Sequence, residues 1–284
     1  MKNRLSKSDA VAFVILTWNS EEVITACLTS IAAFCQLRPY IVVVDNGSKD
    51  GTRDAVERFR RQHPSLDLAL IALPENRGTT APRNIGIRKA EGKAAFLCIL
   101  DSDTVVNEEA FLTMLDALKK DSNIGIIGPQ LYGKGGTLQN SGRAIPTAWI
   151  KLLKVLPVRL WRRRGAAREN IEKNPQGLTK VGYLMSACWL MRMELVQRIG
   201  GLDEGIFYAP EDVEYCLRAW SKGYLVVYDS RVSIRHDWQR LSRKKLFSKH
   251  NYEHIKGLFR LFFRYRYFFR AARWNRRIEE TKLL

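Results

Sequence analysis

Through its first hundred residues the chain alternates short apolar runs with segments of helical periodicity, and this rhythm constrains the fold more than any other feature. VAFVIL (11–16) precedes SEEVITACLTSIAAF, where Val23, Cys27 and Ile31 recur at helical spacing behind Ser20 as an N-cap. YIVVVD (40–45) leads through the turn NGSKDGT to a helix containing Val56 and Phe59. LALIAL (68–73), a loop with ENRG, a helix near Arg83 to Glu91 and AAFLCIL (94–100) complete the series. Strands alternating with helices predict βαβ units and a mainly parallel sheet, whose ligands lie outside the carboxyl ends of the strands. Asp45 and Asp101 both fall at such ends.

The second half is less regular. NIGIIGPQLYG (123–133) reads as a strand entering a glycine-rich loop, and a basic apolar stretch, WIKLLKVLPVRLWRRR, interrupts the pattern. LMSACWLMRMELVQRIGG reads as a strand then a helix, EDVEYCLRAWSKG as a helix with an acidic first turn, and YLVVYD and RVSIRH as two strands. From about residue 239 the pattern is helical, basic and aromatic. The expected division is one domain over 1–238, with halves near 10–105 and 106–238, followed by basic amphipathic helices over 239–284.

Charge is concentrated. Of a net +18, residues 231–284 carry +12 and residues 151–168 carry +7, which leaves the rest of the chain near neutral. A neutral body with two basic segments points to docking on something anionic, membrane headgroups or nucleic acid. The chain has no run of about 18 apolar residues, and no small-residue cleavage site follows the N-terminal apolar patch, so the patch reads as a first strand. The five cysteines sit in apolar surroundings without a C-x-x-C pair, which predicts reduced core thiols and a cytoplasmic compartment.

Two carboxylates end the fourth apolar run, in FLCILDSDTVV. Side chains two apart on a strand point the same way, so Asp101 and Asp103 converge and repel unless a cation joins them. Such a pair is a hard oxygen site suited to Mg²⁺ or Mn²⁺, which can bridge a diphosphate; the competing reading is a strand end followed by a turn. Glu211 and Asp212 open a helix, where the dipole alone favours acid, yet a carboxylate aimed into a cleft can also act as a general base. His236 ends a strand, either as a structural hydrogen-bonding residue or as a further metal contact. HNYEH (His250 to His254) matches a zinc-peptidase pattern, but the only later carboxylates are Glu279 and Glu280 near the terminus, and the surrounding helix is basic and aromatic. The first strand lacks G-x-G-x-x-G and no G-x-x-x-x-G-K-[ST] occurs, which disfavours nicotinamide and P-loop chemistry.

Taken in order, these pieces resemble the family 2 glycosyltransferases, inverting enzymes with a GT-A fold that take a sugar from a nucleotide diphosphate donor. VAFVILTWNSEE looks like the family's first strand and turn, IVVVDNGSKDGT like its second-strand motif, ENRGTTAPRNIGIRKAEG like its third segment, LDSD like its D-x-D, and GGLDEGIFYAPEDVEYCLRAWSKGY like its acceptor-side block. HDWQRLSRKK with HIKG is similar to the bacterial rhamnosyltransferase-like branch. The resemblance spans roughly residues 10 to 260.

The resemblance implies an α/β Rossmann-like nucleotide-diphospho-sugar transferase fold, a catalytic domain over 1–238 whose nucleotide-binding half is about 10–105 and acceptor half about 106–238, with a basic helical C-terminal extension. Thr17, Asn19, Glu21 and Asp45 would line the nucleobase pocket, with Asp45 accepting from a pyrimidine N–H. Asn76, Arg83, Asp101 and Ser102 complete the donor contacts, although TTAP after Asn76 departs from the family's usual Gly-Phe-Ala. Asp103, Asp101 and His236 would hold Mg²⁺ or Mn²⁺. Asp212 or its neighbour Glu211 would deprotonate the acceptor hydroxyl. The implied donor is a UDP- or dTDP-sugar such as dTDP-rhamnose. The implied acceptor is a glycan or lipid-linked hydroxyl in cell-surface polysaccharide synthesis, and no nucleic acid is involved. The basic segments WIKLLKVLPVRLWRRR and LFRLFFRYRYFFRAARWNRR would then lie on the anionic inner face of the cytoplasmic membrane, unless their aromatic side chains simply pack on the fold. The alternatives are a sugar nucleotidyltransferase, without the expected phosphate loop, and a nucleic-acid binder using the basic C-terminus.

Overall fold

A computed structural model of the chain describes residues 10–155, 177–237 and 249–283. Four parallel strands form the first half of the sheet: β1 (Val11–Thr17), β2 (Pro39–Asp45), β3 (Asp67–Ala72) and β4 (Phe96–Asp101), in the order β3-β2-β1-β4. The crossover helices are α1 (Glu21–Ala32), α2 (Thr52–Gln62) and α3 (Thr80–Ala90). The order reverses at β1, so the crevice between β1 and β4 is the expected ligand position for an open α/β sheet. Leu16 pairs Asp101 and Thr17 pairs Asp45 across this reversal, which brings three strand ends to one level.

The sheet continues with β11 (Cys188–Arg192), β6 (Ile124–Tyr132), β12 (Leu225–His236) and the short β5 (Thr104–Val105). β11 runs antiparallel to both β4 and β6, whereas β6 and β12 are parallel, so the sheet is mixed rather than mainly parallel beyond β4. The short strands β7 (Leu138–Gln139) and β9 (Leu178–Lys180) flank β6 and β12, and β8 (Gly142–Arg143) pairs with β10 (Tyr183–Leu184). The remaining helices are α4 (Glu108–Lys120), α5 (Ala148–Val155), α6 (Met193–Ile199), α7 (Glu211–Ser221), α8 (Lys249–Arg264) and α9 (Ala272–Glu280).

Three local outcomes differ from the sequence reading. YLVVYD and RVSIRH are one strand, β12, whose register against β6 slips between Asp229 and Ser233. Such an irregularity bends a strand and re-aims its end, and here the end pairs His236 with Thr104. Ser20 does stand at the N-cap of α1, but its hydroxyl bonds Ser102 Oγ at 2.9 Å instead of capping the helix. Of the five cysteines, Cys35 is exposed while Cys27, Cys98, Cys188 and Cys216 are buried.

The core is continuous from the sheet into the C-terminal helices, where Leu258, Leu261, Phe262 and Trp274 are buried with it. Trp189 and Trp220 are fully buried and donate their indole N–H to Leu184 O at 3.2 Å and Val181 O at 3.1 Å. They clamp β10 between β11 and α7; truncating either costs on the order of 3–5 kcal/mol. Gly86 lets α3 lie against the sheet, since a Cβ there would stand 2.4 Å from Val14 Cγ1. That close approach seats Arg83, one turn earlier, over the strand ends. The expected boundary at 238/239 and residues 156–164 of the basic stretch 149–164 lie outside the described residues, and among the described residues no helix is long and apolar enough to cross a membrane.

Candidate active site

The loops beyond β1, β2 and β3 are tied into one floor. Asn19, at φ 51°, donates its amide to Ser48 Oγ at 2.9 Å and accepts from Lys49 N at 2.9 Å. Glu21 Oε2 accepts from Gly51 N at 2.9 Å. Asn46 donates to Asn76 Oδ1 at 3.1 Å and to Gly78 O at 2.7 Å, and accepts from Arg77 N at 2.8 Å. Asn19, Glu21 and Asn76 therefore shape these loops through their own hydrogen bonds.

Asp45 is completely buried at the centre of this floor. Its carboxylate accepts from Thr17 Oγ1 at 3.2 Å, Ser48 N at 3.2 Å and Arg53 Nε at 2.6 Å. A carboxylate offers roughly four lone-pair positions, so about one remains for a ligand. Arg53, on the first turn of α2, also donates to Leu73 O at 2.7 Å and covers Asp45 with a side chain 40% exposed. Sequence reading passed over Arg53, although DNGSKDGTR places a cation at the start of the helix that follows Asp45.

Across the β1–β4 reversal, Asp101, Asp103 and His236 each offer a ligand atom, all within 4.8 Å of one another. His236 Nε2 lies 3.4 Å from Asp103 Oδ1, and its Nδ1 pairs with Gln139 Oε1 at 2.7 Å. Gln139 also donates to His236 O at 2.8 Å, so β7 fixes the ring from behind, the arrangement that orients a metal-binding imidazole. Nothing in the sequence near Gln139 signalled this. A cleft of about 390 Å³ opens on Asp103 and is also lined by Glu22, Lys134 and Asp237, whose Oδ1 is buried without a hydrogen-bond partner. Two carboxylates, one imidazole and an orphaned buried oxygen alongside fit a divalent cation, and the nitrogen donor suits Mn²⁺ better than Mg²⁺. The competing reading of HNYEH gains nothing: His254 is half-buried, the His250 side chain lies outside the described residues, and among the described residues only the Asp–Asp–His group is metal-capable.

Arg83 joins the two halves of the site. Its guanidinium reaches Asp101 Oδ1 at 2.7 Å, Glu211 Oε1 at 3.1 Å and Ser186 Oγ at 3.0 Å, while Ser186 donates to Glu211 at 3.2 Å. The loop before Glu211 is held by the residues that depart from the family pattern. Thr79 N donates to Phe207 O at 2.7 Å, Thr79 Oγ1 to Tyr208 O at 2.9 Å and Thr80 Oγ1 to Ile206 O at 2.8 Å. Gly78 permits this approach, because a Cβ there would stand 2.1 Å from Phe207 O and φ is +83°.

The two carboxylates at the start of α7 differ in setting. Glu211 is buried, and burial reinforced by the neighbouring Asp212 charge pushes its carboxyl up to about 7, against the pull of Arg83. Asp212 is half-buried; burial raises it, opposed by the Val213 amide and by Arg143 and Lys151. Burial in turn lowers Lys151 to about 8 despite the Asp212 charge. Burial also raises Asp101, opposed by Arg83 and abetted by Asp103. For His236, burial acts downward but the hydrogen bond and charge of Asp103 outweigh it, and the net shift is upward. Thus Thr17 and Asp45 sit together, Asp101, Asp103 and His236 sit together, and Arg83 links Asp101 to Glu211. Ser102 faces Ser20 rather than the cleft lining.

Comparison with known proteins matches this geometry to a family. The Mycobacterium tuberculosis N-acetylglucosaminyl-diphospho-decaprenol L-rhamnosyltransferase is 25% identical over 241 residues, covering 81% of this chain and 76% of that protein. A Staphylococcus epidermidis poly-beta-1,6-N-acetyl-D-glucosamine synthase is 25% identical over 140 residues, 49% of this chain, and the match spans only 33% of that longer protein. Among solved structures, the mannosyltransferase PcManGT from Pyrobaculum calidifontis, in complex with GDP-Man and Mn²⁺, has a TM-score of 0.61 at 18% identity, covering 96% of this chain and 68% of that one. Staphylococcus aureus TarS 1-349 with UDP-GlcNAc has a TM-score of 0.63 at 18% identity, covering 96% and 71%. The chain thus has the GT-A fold, and the family model for glycosyl transferase family 2 matches residues 12–200. The protein belongs to glycosyl transferase family 2.

Proposed function

We propose that the chain transfers a sugar from a UDP- or dTDP-linked donor, dTDP-rhamnose among them, to a hydroxyl of a glycan or lipid-linked acceptor with inversion, in cell-surface polysaccharide synthesis. The observation that carries the reading is Arg83 spanning Asp101 on the donor side and Glu211 on the acceptor side. The similarity to a rhamnosyltransferase along most of the chain supports the sugar and acceptor class.

Thr17 and Asp45 hold the pyrimidine, Asp45 accepting its N–H, and Arg53 is the side chain that the entering base displaces. A divalent cation held by Asp101, Asp103 and His236 would neutralise charge on the departing diphosphate. Asp212 takes the proton of the acceptor hydroxyl. The hydroxyl oxygen forms its bond to the anomeric carbon as the bond from that carbon to the phosphate oxygen breaks, and the electron pair leaves with the nucleoside diphosphate. Asp212 is the base because Glu211 is already engaged by Arg83 and Ser186. Glu211 positions Arg83 against the donor. General-base assistance of this kind contributes roughly 10²- to 10⁴-fold.

A donor panel tests the reading: UDP- and dTDP-sugars are incubated with Mn²⁺, Mg²⁺ or chelator, and nucleoside diphosphate release is followed. Metal-dependent release from one pyrimidine donor is expected. No release from any donor with either metal would overturn it.

A further inference from the structure

The apolar side chains left open to solvent are clustered, and the cluster has a charge. Trp149, Ile255, Phe259, Phe263 and Phe269 are 43–71% exposed, five of the seven large apolar side chains with most exposure among the described residues. Ile255, Phe259 and Phe263 recur every four residues on α8, so they form one outward stripe, while Gly257, Leu258, Leu261 and Phe262 face the body. Past the helix, the Phe263 ring meets Phe268 with centroids 5.1 Å apart, and the next residue, Phe269, lines with Trp149 of α5 a groove of about 360 Å³ that also includes Arg270. Ala148 N donates to Phe268 O at 2.7 Å, which locks α5 to this segment. Residues 249–283 hold ten Lys and Arg against three Glu, and Arg266, Arg270, Arg273 and Arg276 are exposed.

We infer that this aromatic and cationic face docks on an anionic lipid bilayer, the Phe rings entering the headgroup boundary and the Arg side chains pairing with lipid phosphates. A basic helix with a Phe stripe fits an interfacial position, where buried rings and anionic headgroups both contribute. A second copy of the chain fits less well, because a two-fold pairing sets the exposed Arg266, Arg270, Arg273 and Arg276 of one copy against those of the other. Lone apolar side chains need no explanation, but a contiguous row of this size does.

The face is also coupled to the chemistry. α8 rests against the segment preceding Glu211, since a Cβ on Gly257 would stand 2.3 Å from Ala209 O. Arg260 and Arg264 brace the same contact by pairing with Asp203 at 3.1 and 2.7 Å. Gly257 lies on the face of α8 opposite the stripe, so docking sets the segment leading into α7 about one helix diameter, roughly 10 Å, from the bilayer surface, near an acceptor carried by lipid. The docking itself does not depend on the proposed reaction.

The test is sedimentation of the full chain with vesicles of neutral phosphatidylcholine or of phosphatidylcholine carrying a third phosphatidylglycerol, read beside size-exclusion chromatography. The chain is expected to pellet with anionic vesicles and to remain in solution with neutral ones. Phe259→Ser and Phe263→Ser should each weaken partitioning about tenfold, the effect of one ring's transfer into an apolar phase, and Arg266→Gln with Arg270→Gln should weaken it further. Thermal melts and nucleotide release from donor alone should be unchanged in these exposed variants, which separates loss of docking from loss of fold or of donor chemistry. Equal partitioning to both vesicles, wild-type binding by both Phe variants, a dimer that dissociates on Phe263→Ser, or preferential binding of an oligonucleotide over anionic vesicles would each overturn the inference.

Discussion

Arg83 Nη2 lies 2.7 Å from Asp101 Oδ1 while its Nη1 lies 3.1 Å from Glu211 Oε1, so one buried guanidinium fixes the distance between the D-x-D strand end and the first turn of α7. The three charges come from elements 18 and 128 residues apart. Removing Arg83 leaves Glu211, 8% exposed, without its counter-charge. Arg83→Met is expected to lower stability by about 3 kcal/mol, since breaking a buried pair exposes the cost of the remaining charge, and to abolish turnover. Adding Glu211→Gln should recover part of the stability and none of the activity, read by denaturant unfolding and donor turnover.

The Asp101, Asp103 and His236 group gives a metal prediction. Asp103→Ala removes one of the three proposed ligands and is expected to eliminate turnover at any Mn²⁺ concentration tried. Gln139→Ala leaves every ligand in place but releases the ring of His236, which it holds at 2.7 Å. It should weaken Mn²⁺ roughly 10- to 100-fold, the usual effect of losing an orienting partner. Manganese electron paramagnetic resonance titration reads both; equal affinity in Gln139→Ala and wild type would remove Gln139 from that role.

Asp212→Asn is expected to reduce kcat by roughly 10²- to 10⁴-fold with KM for the donor unchanged. Glu211→Gln should instead raise donor KM as well, because it frees Arg83. If the two variants show the reverse pattern, Glu211 is the base.

The start of α7 also sets a pH dependence. Glu211 is pushed up to about 7 by burial and by Asp212, and the two titrate as a pair. Arg83 is held by an ionised Glu211 and the proton is taken by an ionised Asp212, so kcat/KM should rise with pH and level off once Glu211 has lost its proton, above about 7. For stability the sign runs the other way. A carboxyl whose pKa is higher in the folded chain holds a proton that the unfolded chain has already lost. Its contribution is therefore full at low pH and is lost as pH rises from the ordinary carboxylate range through about 7. Thermal melts should show Glu211→Gln gaining on wild type between pH 5 and pH 8.

Gly78→Ala tests the loop that leads into Glu211 and Asp212. With φ at +83° and its Cβ directed at Phe207 O, the variant is expected to lose about 1–3 kcal/mol through strain and to raise KM by shifting residues 206–208. An unchanged melt and unchanged kinetics would mean that the loop tolerates the displacement.

The alternation of apolar runs and helical periods was enough to place β1 to β4 and α1 to α3, because each is a local pattern of period two or 3.6 whose apolar positions must face one core. The same locality placed Asp45 and Asp101 at strand ends and Glu211 and Asp212 in a first turn. The antiparallel entry of β11 and the union of YLVVYD with RVSIRH into one irregular strand were not legible, since both depend on which neighbour each strand pairs with. Arg53 against Asp45, Gln139 behind His236 and Ser186 beneath Glu211 were equally hidden; a hydrogen bond across 8 residues leaves a faint trace in sequence, and one across 97 leaves none.

By itself, then, the sequence determined the layered α/β architecture, the family and the carboxylates that end its strands, all carried by local periodicity and contiguous motifs. The tertiary structure decided what those carboxylates touch. Arg83 finds both Asp101 and Glu211 because Gly86 lets α3 settle on the sheet, and because Thr79 and Thr80 tie the loop before α7 to the start of the same helix. It also divided the aromatic residues of α8 into a buried face and an exposed one, a choice set by the surface the helix packs against and not by its composition.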